Sequence, residues 1–89
     1  MTFEAPRPDV FEGLVLAYKA ARAGGSMPTV FNAANEKAVA KFLNREIAFL
    51  DIVDIIGNAM EDHKVIKNPD LDAILDTENQ TYEFIESRW

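Results

Sequence analysis

Eighty-nine residues make one small domain, which on folding buries only roughly 60–65% of the surface that its unfolded chain exposes. At 48% hydrophobic and 27% charged the composition is that of an ordinary globule, and the absence of cysteine excludes disulfides and thiolate metal sites. The net charge of -6 argues against a nucleic-acid surface, which needs clustered Lys and Arg where this chain scatters its nine basic residues.

In chain order, Thr2 to Pro8 read as an extended arm, because Pro6 and Pro8 each push the preceding residue away from helix. Residues 1–8 are accordingly set apart as an arm or linker and 9–89 as the folded domain. Asp9 is placed to cap a first helix, in which Phe11, Leu14, Val15 and Tyr18 fall at helical spacing. That helix stops at Gly24-Gly25, where a left-handed residue costs little. Ser26 then offers a capping hydroxyl, and Pro28 is tolerated in a first turn, so Gly24, Gly25 and Pro28 set a helix–helix corner.

The second helix is expected from Pro28 to Leu43, with Asn44 at its C-terminus. Advancing about 100° per residue groups Phe31, Ala34, Ala38, Val39, Phe42 and Leu43 on one apolar face. Asn35 falls near the middle of that face, Asn32 and Glu36 fall on a flank, and Lys37 and Lys41 point to water. Asparagine where a packing helix wants carbon must find partners, since a buried amide without them costs about 1–3 kcal/mol. Asn32, Asn35 and Glu36 therefore read as a polar clasp that fixes an adjoining loop or a docking surface, and Asn35→Leu should cost about that amount.

Asp51 can cap a third helix running to Lys64, with Ile52, Ile55, Ile56, Ala59 and Met60 as its apolar stripe. After Asn68-Pro69, Leu71, Ile74 and Leu75 form a turn or two of helix, and Asp76 caps a final helix ending in Phe84, Ile85 and Trp89. Its stripe is Tyr82, Ile85 and Trp89, which leaves Phe84 pointing away. No segment alternates in the manner of a strand. The fold class is all-α, a small antiparallel bundle of four main helices with an extended N-terminal arm.

The chemistry-bearing residues assemble no site. His63, the only histidine, projects onto the third helix's apolar stripe and lacks a second ligand at helical spacing. Asp70, Asp72, Asp76, Glu78, Glu83 and Glu86 lack a calcium-loop pattern. Gly24-Gly25 is no phosphate loop, and Ser26 and Ser87 have no histidine at a suggestive spacing. No apolar run approaches the ~20 residues of a membrane span, and without a signal-peptide pattern the expected compartment is the cytoplasm.

Four blocks are together distinctive: Thr2-Phe3-Glu4-Ala5-Pro6, Leu14 to Tyr18, Gly24 to Glu36, and Ile47-Ala48-Phe49-Leu50-Asp51-Ile52. With weaker echoes at Asn68-Pro69 and Ile74-Leu75-Asp76, the chain resembles the C-terminal helical domain of the 1-deoxy-D-xylulose 5-phosphate reductoisomerases. It departs at Val53, where that family often has Pro, and at Asn79-Gln80, where the family tends to a small residue and Arg.

The resemblance implies a parent enzyme of isoprenoid precursor biosynthesis. Such an enzyme converts 1-deoxy-D-xylulose 5-phosphate to 2-C-methyl-D-erythritol 4-phosphate with NADPH and magnesium or manganese, as a homodimer. Its catalytic, cofactor and metal residues lie in two preceding domains, so none is carried onto this chain. The implied role is packing against the preceding catalytic domain, without catalysis or cofactor in the chain alone. Met1 then reads as an added initiator. The alternative is a self-sufficient acidic helical module that engages a basic partner; a small metal enzyme built on His63 is a third reading.

Overall fold

The computed structural model describes the backbone from Pro8 to Trp89 and the side chains from Glu12 onward. Four helices follow one another: α1 (Pro8–Ala23), α2 (Met27–Leu43), α3 (Asp51–Asp62) and α4 (Leu71–Arg88). No strand occurs among the described residues, as expected for an all-α bundle. The expected arm lies, but for Pro8, outside the described residues, as does the side chain of Phe11. Pro8 itself opens α1, one residue before the anticipated cap at Asp9.

α2 is the central helix and touches each of the other three. Its buried face is Met27, Val30, Ala33, Ala34 and Ala38, with Lys41 at one end. That face lies a quarter-turn from the expected one. The bulky residues suggested a face centred on the phenylalanines, but α2 packs the most extensively of the four helices, and its alanines let its axis come close to theirs. Phe31 packs at the edge of the core, while Leu43 is 72% exposed.

α3 supplies the bulk, with Ile55, Ile56, Ala59 and Met60 buried and Ile52 packed against them, the stripe read from the sequence. α1 contributes Ala20 and Leu16 to the core. The expected stripe on α1 is displaced, since Leu14 is 54% and Tyr18 71% exposed.

α4 is one helix, not two. Asp70 caps it by accepting a hydrogen bond from the Ala73 N–H at 2.8 Å, so Asp76, the expected cap, sits mid-helix. Thr77 and Thr81 carry the buried stripe inward to Ile85, each hydroxyl donating to the carbonyl four residues back at 2.8 Å. Rotated this way, α4 turns Phe84 against the core rather than away from it. The Arg88 guanidinium lies 4.6 Å from the Phe84 ring centroid.

Two helix ends use left-handed residues. Gly24 (φ 67°) caps α1 with its N–H on the Ala20 carbonyl at 3.1 Å. At the end of α2, Arg45 (φ 62°) occupies the equivalent position. Glu46 N–H reaches the Lys41 carbonyl at 2.9 Å and Arg45 N–H the Phe42 carbonyl at 3.0 Å, the paired bonds of a Schellman motif.

Candidate functional site

The corner between α1 and α2 is built around Ser26, which is fully buried. Its hydroxyl does not cap α2. It turns instead to the connection between α3 and α4, where it accepts from the Ile66 N–H at 2.7 Å and meets His63 Nε2 at 2.7 Å. The Ser26 N–H donates to the Ile66 carbonyl at 3.0 Å. Three hydrogen bonds thus fasten the first corner to a segment some forty residues on.

The glycines make this approach possible. Gly24 lets the chain leave α1 in a left-handed turn, and Gly25 (φ 55°) passes so close that a Cβ there would run into the Ile66 carbonyl oxygen. Pro28 stands in the first turn of α2. Gly24 and Gly25 thus lie between the end of α1 and the start of α2, with Pro28 just inside α2.

The protonation of this latch follows from its partners. Among the described residues, His63 Nε2 is the one acceptor within reach of the Ser26 hydroxyl, so the hydroxyl donates to it and the imidazole proton sits on Nδ1. Burial pushes the His63 pKa below its ordinary value, and the charge of adjacent Asp62 opposes that only in part. A protonated ring would reverse the Nε2 bond and leave the Ser26 proton without an acceptor.

A serine against a histidine has the look of a nucleophile and its base. The arrangement cannot serve as one, because Ser26 is fully buried and its oxygen is already held from two sides. Among the described residues no carboxylate bonds His63 in the way that orients a catalytic histidine. The cleft beside the ring, about 400 Å3, is lined by Asp62, His63, Lys64, Gln80, Thr81 and Phe84, and the Thr81 hydroxyl is spent on the Thr77 carbonyl.

The polar clasp expected of Asn32, Asn35 and Glu36 is not formed inside the chain. All three are exposed, and among the described residues neither asparagine makes a side-chain hydrogen bond. The rotation of α2 that buries the alanines carries both amides outward. Glu36 alone holds a partner, its Oε2 accepting from the Tyr82 hydroxyl at 3.3 Å and tying α2 to α4 at the surface. The Tyr82 pKa is raised by its surroundings, then by the charges of Glu36 and Glu78.

Lys41, expected in water, is 5% exposed. Its ammonium meets Glu86 at 3.1 Å and Glu46 at 3.8 Å, while Lys37 meets the same Glu86 oxygen at 2.8 Å. Hydrogen bonds from Lys37 and then Lys41 hold the Glu86 carboxyl below its usual range. Glu86 lies forty-five residues from Lys41, so helix periodicity within α2 carried no sign of this pair.

Among the described residues no group of three His, Asp or Glu side chains could hold a metal ion, and no helix is long and apolar enough to cross a membrane. The site joins the α1–α2 connection to the α3–α4 connection.

Comparison with known proteins agrees in scale. A family model described as the DXP reductoisomerase C-terminal domain matches residues 1–84. The 1-deoxy-D-xylulose 5-phosphate reductoisomerase of Agathobacter rectalis is 60% identical over 89 residues, covering 100% of this chain and 23% of that protein. Its counterpart in Lachnoclostridium phytofermentans is 59% identical over 86 residues, covering 97% of this chain and 22% of that protein. Among solved structures, the Zymomonas mobilis reductoisomerase in complex with NADPH superposes with a TM-score of 0.83 at 36% identity, covering 98% of this chain and 23% of that one. The chain therefore spans less than a quarter of the length of these relatives.

Proposed function

The chain belongs to the DXP reductoisomerase C-terminal domain family, and from that membership we propose that it is the non-catalytic C-terminal part of an NADPH-dependent reductoisomerase. The parent converts 1-deoxy-D-xylulose 5-phosphate to 2-C-methyl-D-erythritol 4-phosphate in the cytoplasm, as a homodimer, and supplies precursors for isoprenoids. This chain packs against the preceding catalytic domain and helps keep its cleft in shape. One observation carries the reading: identity of 60% along the whole chain to a protein more than four times as long, in a fold whose described residues assemble no catalytic group.

In this reading NADPH and the divalent metal, magnesium or manganese, are held by the preceding domains. The described residues form no metal-ligating cluster, and at Gly25 the space beside the backbone is taken by the Ile66 carbonyl. The chain's own part is to present surface.

The test exchanges the matching quarter of the Agathobacter rectalis reductoisomerase for this chain. NADPH oxidation dependent on the deoxyxylulose substrate should persist in the chimera, fall sharply in the relative truncated before that quarter, and be absent from the 89-residue chain alone. A chimera no better than the truncation refutes the reading, as does turnover by the isolated chain.

A further inference from the structure

We infer that the outward stripe of α2, centred on Asn35, Val39 and Leu43, is the face that seats this domain on the preceding part of its own polypeptide. The inference rests on the function proposed above and adds which surface docks and by what chemistry. Advancing about 100° per residue, Phe42, Asn35, Val39, Asn32 and Leu43 fall in that order within an arc of about 100°. Asn32, Asn35 and Leu43 are exposed, Val39 and Phe42 are half-buried, and none is charged. The stripe continues into the connection after α2, where Phe49 meets Phe42 edge to face at 5.5 Å between ring centroids, and Phe49 and Leu50 are themselves 45% and 64% exposed. Glu36, about 20° beyond Leu43 on this projection, bounds the stripe and is held by the Tyr82 hydroxyl; between Phe42 and Leu43 the aromatic and aliphatic surface has the character of an interface core.

The asparagines supply the second argument. Asn is a poor helix former, and two of them mid-helix, with no hydrogen bond among the described residues, weaken α2 with no return inside this chain. One turn apart, their side chains stand about 5–6 Å from each other. That is close to the ~6–7 Å repeat of like-facing peptide groups in extended backbone. Each amide carries both a donor and an acceptor, the complement of a peptide group. The occupant is thus an uncharged stretch of backbone rather than a basic partner.

Its source is the length of polypeptide that relatives carry beyond this segment, more than three-quarters of their chains. The other exposed apolar faces fit less well. Leu14 and Tyr18 on α1 share their side with Arg22, and Leu71 and Leu75 on α4 are flanked by Asp72 and Glu78.

Because the chain has no cysteine, single thiols can report each face. Asn35→Cys, Leu43→Cys, Tyr18→Cys and Leu71→Cys are each placed in the isolated chain and in the Agathobacter rectalis chimera, and alkylation is followed peptide by peptide by mass spectrometry. Thiols at 35 and 43 should react about tenfold or more slowly in the chimera, as befits an interface core, while those at 18 and 71 keep their rates. Equal rates at 35 and 43 in both settings overturn the inference. Protection at 18 instead leaves the packing reading standing with a different face, and protection nowhere removes both. Equal protection at all four sites overturns the choice of this face. Protection at 35 and 43 in the isolated chain that grows with its concentration assigns the face to a second copy and also overturns the inference. A second arm uses Leu43→Glu, which should lower the unfolding midpoint of the chimera by several degrees and leave that of the isolated chain unchanged; equal effects overturn the inference.

Discussion

Ser26→Ala removes one oxygen and tests the joint at its centre. The substitution deletes two hydrogen bonds, from Ile66 N–H and to His63 Nε2, both 2.7 Å long, and leaves the backbone bond from Ser26 N–H to the Ile66 carbonyl in place. Each lost bond is worth about 0.5–1.5 kcal/mol net, and the serine's full burial places the change where no water replaces the hydroxyl itself. Its two partners are better placed, since Ile66 is 42% exposed and His63 half-buried, so water relieves part of their loss. The loss should therefore be about 2 kcal/mol, midway in the range. In a domain of this size that lowers the thermal midpoint by about 8–16 °C. Urea unfolding followed by far-UV circular dichroism measures it, with Asn35→Leu as the control. That substitution, which a buried clasp would make costly, should lie within about 0.5 kcal/mol of the unmodified chain because the amide faces water. A double-mutant cycle with His63→Ala should show the two changes to be strongly non-additive. Should Ser26→Ala prove neutral, or Asn35→Leu cost more than Ser26→Ala, the assignment of the stabilising joint to Ser26 is wrong.

The other predictions concern the same corner and the end of α2. Gly25→Ala forces a Cβ into a left-handed residue and against the Ile66 carbonyl, and should cost about 1–3 kcal/mol in the same unfolding assay, where a neutral result would contradict the close approach. Arg45→Gly relieves a side chain from the left-handed position of the Schellman motif and should stabilise by about 0.5–1 kcal/mol, net of the glycine's unfolded-state entropy; destabilisation would mean that the arginine side chain contributes a contact not evident from the backbone. Stability should fall on acidification below the ordinary histidine value of 6.5, because the folded chain binds the His63 proton less well than the unfolded chain does. That loss is complete once the pH is below the folded-state pKa of His63, and a further loss follows as Glu86 protonates at lower pH. Stability measured at pH 7.5 and 5.5 gives the slope over the upper part, and His63→Gln should flatten it.

How far the sequence could carry this reading depends on the range of each interaction. Gly24, Gly25 and Pro28 announce a corner because their constraints are local, matters of φ and of a missing N–H. The α3 stripe is legible because one helix with one buried side repeats cleanly. α2 misled because it packs the most extensively of the four, against α3, α4 and α1: pressed close to all of them it buries its alanines and leaves Leu43 outside. α4 seemed to restart at Asp76 because Asp often caps, and nothing local reveals that Thr77 and Thr81 return their hydroxyls to the helix and let it continue. The Ser26–His63 contact spans thirty-seven residues and the Lys41–Glu86 pair forty-five, separations for which no periodic pattern exists.

The three bonds between Ser26 and the segment from His63 to Ile66 also close the chain on itself. Everything from residue 26 to residue 66, α2, α3 and the connection between them, becomes a ring whose two ends meet at one fastening point, with α1 and α4 leaving it as outer arms. Closing a ring of about forty residues carries an entropic cost that grows only slowly with its length. Once closed, it offers both arms a surface already assembled. A proton on one imidazole then acts upon the closure of the whole central loop.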